Sequence, residues 1–475
     1  MKRFLWLGFV LCLYVICTGC GETFRPIIIP NPPVFPNPRA AHTVLAINDN
    51  GTVVPGSAMV VDVSGDTDMS VANVGLAPVH AVQQSASQVL VVNHSVTGAV
   101  ADSITKLSFN SVIIAGTTTI SLPANSAPSF VAVAPSDTTA YVTLPGVVPD
   151  PVNFPNNNAV GVVSTLSNNL VAIIPVGNDP FALAVTPDKS KLYVANLGDS
   201  SLSAFNTQGR SARAICDQSG TVCPPSLASA PIWLSARTDN QRVYVLEFHG
   251  TLGFLDTTST AGPDTFTETG IAMIGAAYMV YDSILNRLYI PSIIGQLMIV
   301  DVSQSVPTVL GGGPILITSV PPTSRSIGDP CATSTESSPL HVVAVAALPD
   351  ASRAYVGSFY LDNLGNVCPQ VTVIDASSNT VKSSIAVPGF PDATVVGSPY
   401  YAQVCAKTRF RFMMAAGGDS SRVYLSSCDG GNVNIIDTSN DTYIENLPAP
   451  IGSRPPIPPD QQNPPQNPVF LIAGP

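Results

Sequence analysis

The side chains of this sequence best suited to acid–base or metal chemistry are few. It holds five histidines, and only 11% of its residues are charged. Catalysis by such groups needs them clustered, so that each perturbs its neighbours. Two places come nearest: His94, and the tripeptide Glu247-Phe248-His249, each just past a run of strand-forming residues. Together with Arg409 they make the candidate set for a site: His94, Glu247, His249 and Arg409. No HExxH, GxSxG, phosphate-binding glycine loop or CxxCH haem motif is present. No catalytic residue, cofactor or metal ligand is therefore assigned.

Nine cysteines offer a second kind of chemistry. Cys12 and Cys17 fall in an N-terminal apolar segment, and Cys20 closes it. The other six are Cys216, Cys223, Cys331, Cys368, Cys405 and Cys428. An even number in an exported chain reads as disulfides, with about fifteen connectivities open. Cys216 and Cys223 pair by proximity. Cys405 and Cys428 flank a hairpin and are placed to face each other, which leaves Cys331 with Cys368. No CxxC occurs among the six, so neither a zinc nor a thioredoxin-like reading is favoured.

Export itself is read from the first twenty residues. Lys2 and Arg3 precede an apolar run from Phe4 to Ile16, too short for a stable membrane span and suited to a signal peptide. Cys17-Thr18-Gly19-Cys20 resembles a lipobox, with Cys17 standing where leucine is usual. The expectation is a signal peptide over 1–19, lipid attachment at Cys20 and a Pro-rich tether over 20–41. Gly21 favours the outer membrane by analogy with lipoprotein sorting. A net charge of −11 disfavours nucleic acid as a partner.

The elements that must position these residues are strands. Val, Ile, Thr and Tyr abound, while 35 Gly and 44 Pro supply turns, so the chain reads as all-β. One unit is clear from Asp179 to Asn196: an apolar strand, an Asp-containing turn, then Lys191-Leu192-Tyr193-Val194-Ala195-Asn196. The second strand recurs at Ala140-Tyr141-Val142, Val243-Tyr244-Val245, Leu288-Tyr289-Ile290, Ala354-Tyr355-Val356 and Val423-Tyr424-Leu425, with a degenerate copy at Val89-Leu90-Val91. The unit resembles the YVTN family β-propeller repeat, with Tyr193-Val194-Ala195-Asn196 at its namesake tetrapeptide. That resemblance implies four-stranded blades around a channel. Asp residues in the turns after first strands (Asp137, Asp239, Asp350, Asp419) and at the ends of third strands (Asp256, Asp301, Asp375, Asp437) are read as turn chemistry.

Second-strand centres at 90, 141, 193, 244, 289, 355 and 424 give seven internal units. The termini supply an eighth. Pro468 to Ala473 reads as a first strand with no second, and Thr43–Ile47, Ala58–Val63 and Ser70–Val74 as its second, third and fourth. A single propeller over 42–475 is expected, with a Pro-rich strap at 448–467 and eight blades; seven is the alternative, should the terminal strands join an existing blade. Insertions at 145–158, 214–230, 319–339, 359–369 and 388–408 all fall on one face by strand order, and the six cysteines map near it. That face is expected to bind a protein or glycan partner, with the chain a monomer held to the envelope by lipid. The alternative is a lactonase-like or oxidoreductase propeller enzyme with its site at the channel mouth. His94 and His249 lie three units apart, which does not favour a shared metal.

Overall fold

A computed structural model describes residues 43–51, 54–94, 102–110, 113–147, 152, 158–394, 403–452 and 465–473. The signal segment, Cys20, the tether and the middle of the 448–467 strap lie outside the described residues. Among the described residues no helix is long and apolar enough to cross a membrane.

Eight sheets of at least four strands make an eight-bladed propeller. Blade 1 takes its innermost strand from the C-terminus: Asn467–Ala473 pairs antiparallel with Thr43–Asp49, which is followed outward by Ser57–Asp62 and Thr67–Asn73. The inner strands of blades 2 to 8 are Pro78–Ser85, Val131–Val133, Pro180–Val185, Pro231–Ala236, Val280–Asp282, His341–Ala347 and Phe412–Ala416. The closing blade thus decides for eight over seven.

Burial explains why these sequences form these strands. The second strand of blade 4, Lys191–Asn196, is buried at every position, because neighbouring blades cover both of its faces. The outermost strands Thr67–Asn73 and Thr442–Pro448 alternate exposed and covered residues, as one-sided strands do.

The recurring tyrosine has a specific task. In blade 4, Tyr193 donates its hydroxyl to Asp264 of blade 5 at 2.7 Å, and Lys191 joins the same carboxylate at 2.7 Å. Blade 7 repeats this with Tyr355 and Arg353 on Asp441 of blade 8. Blade 8 repeats it across the closure, with Tyr424 and Arg422 on Asp66 of blade 1 at 3.0 and 2.8 Å. Each clamp ties one blade's second strand to the next blade. The turn aspartates accept local backbone N–H groups, for example Ser303 on Asp301 and Ser421 on Asp419.

Two segments depart from the sequence reading. Residues 359–369 are not a loop: the second and third strands of blade 7 run on as Arg353–Leu361 and Asn366–Asp375, because Phe359, Tyr360 and Val367 bury their side chains. The fourth strand of blade 4 is only Ala212–Arg213; the chain then crosses to blade 5, where Ile215–Asp217 pairs parallel with Asp264–Phe266. Arg213 reaches Asp264 at 3.1 Å and draws this crossing in. The Cys216–Cys223 disulfide therefore sits on the outer edge of blade 5, and not on the elaborated face as expected.

Candidate functional site

The inner strands begin at the face that carries the long links between blades. At that end most blades present a ring to the channel. His80 stacks on Phe130 with centroids 4.0 Å apart and lies 4.7 Å from Phe470. Trp233 meets Phe130, Tyr278 and Phe410 edge to face at 5.5, 5.7 and 6.0 Å. Phe410 completes the cluster by contacting Tyr278 at 6.0 Å and Phe470 at 5.4 Å. Blades 1, 2, 3, 5 and 6 each contribute, so the rings line the channel near this face.

Phe410 arrives differently. It lies in the segment leading to blade 8, after the short helix Gln403–Lys407. Cys405 of that helix is bonded to Cys428 of blade 8. Arg411 then grips Asp392 and Asp429, each at 2.6 Å. Covalent and ionic anchors thus fix both flanks of Arg409.

Arg409 crosses the channel. Its guanidinium donates to the carbonyl oxygens of Phe181 (blade 4) at 3.1 Å and Ile232 (blade 5) at 3.0 Å. In a ring of eight these blades face blade 8. Four rings surround the cation: Phe181 at 3.9 Å, Trp233 at 5.0 Å, and Phe130 and Phe410 at 5.5 Å. Among the described residues no carboxylate pairs with it. Burial pulls its pKa down to about 9, which leaves it charged at neutral pH. The same enclosure, with Arg409 nearby, pushes His80 down to about 3, so His80 is neutral.

The other sequence candidates lie apart from Arg409. His94 comes within 3.5 Å of Asp102 in its own blade. Glu247 is buried, accepts from Ser229 N–H and from Thr251 Oγ1 at 3.0 Å, and adjoins Glu268. Burial, and then the neighbouring Glu268 carboxyl, raise its pKa to about 7. His249 has its nearest ring partner in exposed Phe248, at 5.6 Å. The described residues show no hydrogen bond, ion pair or ring contact between any two of His94, Glu247, His249 and Arg409. The aromatic cluster was missed in the sequence; its one signal was a ring close behind the proline that opens an inner strand, as in Pro180-Phe181 and Pro231-Ile232-Trp233.

Three disulfides form: Cys216–Cys223, Cys331–Cys368 and Cys405–Cys428. They point to an oxidising, extracytoplasmic compartment. Asp362 lies beside the Cys331 and Cys368 sulfurs, a grouping that could suit a metal, but sulfurs joined to each other offer no thiolate.

The elaborated face also carries apolar side chains in the open. Phe248, Ile274, Ile293 and Ile294 are 63%, 71%, 47% and 48% exposed. They sit on adjoining turns of blades 5 and 6. Met273 donates to Gly250 O at 2.8 Å, and Ile293 to Gly275 O at 3.1 Å. Gly250 has φ of +83°, and a Cβ there would collide with Met273 O, so this close apposition requires glycine.

No family model matches the chain, and no curated protein does. AztD from Citrobacter koseri, in its apo form, superposes with a TM-score of 0.53 at 9% identity, over 90% of this chain and 97% of that one. A functionally unknown protein from Desulfotomaculum acetoxidans DSM 771 gives 0.48 at 12% identity, over 72% of this chain and 95% of that one. Kuenenia stuttgartiensis hydrazine synthase gives 0.47 at 14% identity, over 77% and 96%. At such identities the likeness concerns the propeller fold alone.

Proposed function

We propose that this chain is a lipid-anchored, YVTN-type propeller of the cell envelope whose elaborated face docks a protein partner. The observation that carries the reading is the run of exposed Phe248, Ile274, Ile293 and Ile294 on that face. Contiguous exposed apolar surface marks interaction sites. Aliphatic side chains suit a protein better than a glycan, since sugars are held chiefly by polar groups. The disulfide Cys331–Cys368 braces a neighbouring part of this face, which keeps its shape fixed and lowers the entropic cost of docking. Lipidation at Cys20, if it follows the lipobox resemblance, would hold the face near other envelope proteins.

Two comparisons test this. The Ile274→Asp/Ile293→Asp variant should lose partners recovered by crosslinking in envelopes, while Leu166→Asp/Val306→Asp, on exposed turns at the other face, should keep them. Equal recovery from both overturns the docking face, and competition by sugars alone would move the reading to a glycan. Cys20→Ser should abolish palmitate labelling; persistent label refutes the anchor.

A further inference from the structure

The centre of the channel holds a chemical imbalance that the docking face does not explain. Among the described residues, Arg409, Tyr278, His80 and Trp233 each keep an N–H or O–H with no acceptor. Arg409 has five N–H groups, and two are engaged by the Phe181 and Ile232 carbonyls. Tyr278 accepts from Val345 N–H at 2.8 Å, so its own hydroxyl proton is free to donate. His80 Nδ1 accepts from Val131 N–H at 3.4 Å, which puts the proton of the neutral ring on Nε2. Trp233 can only donate, and no acceptor for its indole N–H is found among the described residues. Among the described residues no carboxylate balances the charge. A cation enclosed by protein without a counter-charge is costly, and breaking such balance elsewhere in proteins is strongly destabilising. Arg409, Trp233 and Phe181 nevertheless keep part of their surface accessible.

We propose that the centre of the propeller binds a small organic carboxylate, whose oxygens take the open Arg409, Trp233 and Tyr278 donors and whose apolar tail packs on Phe130, Phe181 and Phe410. The charge balances, because one carboxylate neutralises one guanidinium. The aromatic walls select an apolar acid over an inorganic anion, since phosphate would leave most of its oxygens facing phenyl rings. Binding requires no chemical step. This site is separate from the exposed docking face, and either can fail without the other.

Trp233 is the test's own reporter, because the chain has only two tryptophans and the other, Trp6, lies in the signal segment. The full chain is titrated with sodium cyclohexanecarboxylate, acetate and phosphate, each against sodium chloride at matched ionic strength, following tryptophan emission. The expected result is a saturable change with cyclohexanecarboxylate, at least fivefold tighter than acetate, and lost in Arg409→Gln. Tyr278→Phe, which keeps the ring, should bind roughly fivefold more weakly for one lost hydrogen bond. Trp233→Phe should silence the signal while calorimetry still detects binding. The proposal is overturned if no carboxylate exceeds chloride, if phosphate alone responds, or if folded Arg409→Gln binds as the wild type does. Should Arg409→Gln fail to fold, unchanged affinity in Tyr278→Phe overturns it.

Discussion

Ending the chain at residue 466 removes the strand that closes the ring, and its cost can be worked from burial. Val469, Phe470 and Leu471 are 1%, 4% and 1% exposed. Burial of such side chains contributes ~1.5–3 kcal/mol each, so their loss costs roughly 4.5–9 kcal/mol. Phe470 also supports His80 and Phe410, and its absence would leave a cavity that adds to this sum. Unfolding entropy of ~2.1 cal/mol/K per residue, over about 400 ordered residues, amounts to roughly 0.8 kcal/mol/K. The melting temperature should therefore fall by about 5–11 °C. The bared edge of Thr43–Asp49 should also promote association, since unpaired edges template pairing with other chains. Differential scanning calorimetry and size-exclusion chromatography of the truncated and full chains measure both effects. A melting temperature within about 2 °C of the full chain, with an unchanged monomer peak, would refute the closure energetics.

Two further outcomes follow from the clamps and the carboxyl pair. Asp264 is fully buried beneath Lys191, Arg213 and Tyr193, so Asp264→Asn strands two cations and should cost ~3–5 kcal/mol. That corresponds to a melting temperature lower by about 4–6 °C, and a shift under ~1 °C would show that the clamp carries no net stability. Glu247 has a pKa near 7 in the fold against 4.5 ordinarily, so the folded protein holds more protons between those values. Its contribution to stability is full below pH 4.5 and is lost as pH rises through 7. Glu247→Gln should flatten that part of the stability–pH curve; the same slope in both proteins would exclude Glu247 as its source.

What the sequence showed and what it hid divide along one line. Features repeated within each unit were readable. Tyr193, Tyr355 and Tyr424 mark second strands because each occupies the same position in its own blade. The closing strand was readable too, since Pro468 to Ala473 has a strand pattern and no successor to pair with. Features that depend on how one blade meets another were not. That the tyrosines clamp the next blade follows from the strand start that holds Asp264 or the turn that holds Asp441 or Asp66, and no spacing within a single unit reports it. The parallel strand Ile215–Asp217 escaped notice for the same reason: its partner is in blade 5, and three residues give no periodicity. Cys216 and Cys223 drew attention as a pair, but the edge they occupy was set by that crossing.

Arg409 shows how far this goes. The rings of the cluster, counting Phe181, come from six blades and from the segment before the last. They sit at different offsets: Phe130 just before its strand, Phe181 second in its strand, Trp233 third, Tyr278 two residues ahead of Val280. No common register exists to be read. The structural consequence is that the 388–408 insertion does more than decorate the elaborated face. Through Cys405, bonded to Cys428, it anchors the flank of Arg409 and Phe410, which belong to the channel's core. Shortening it would remove the cation's support along with any docking surface, and a lost partner would then report collapse of the channel as readily as loss of contact. Substitution of Ile274 and Ile293 avoids that confusion, because both side chains are exposed and neither touches the aromatic cluster. If such a variant keeps the wild-type melting temperature and carboxylate response yet loses its partner, face and channel are independent sites on one scaffold. If it loses both, the two are coupled through the links of blades 5 and 6.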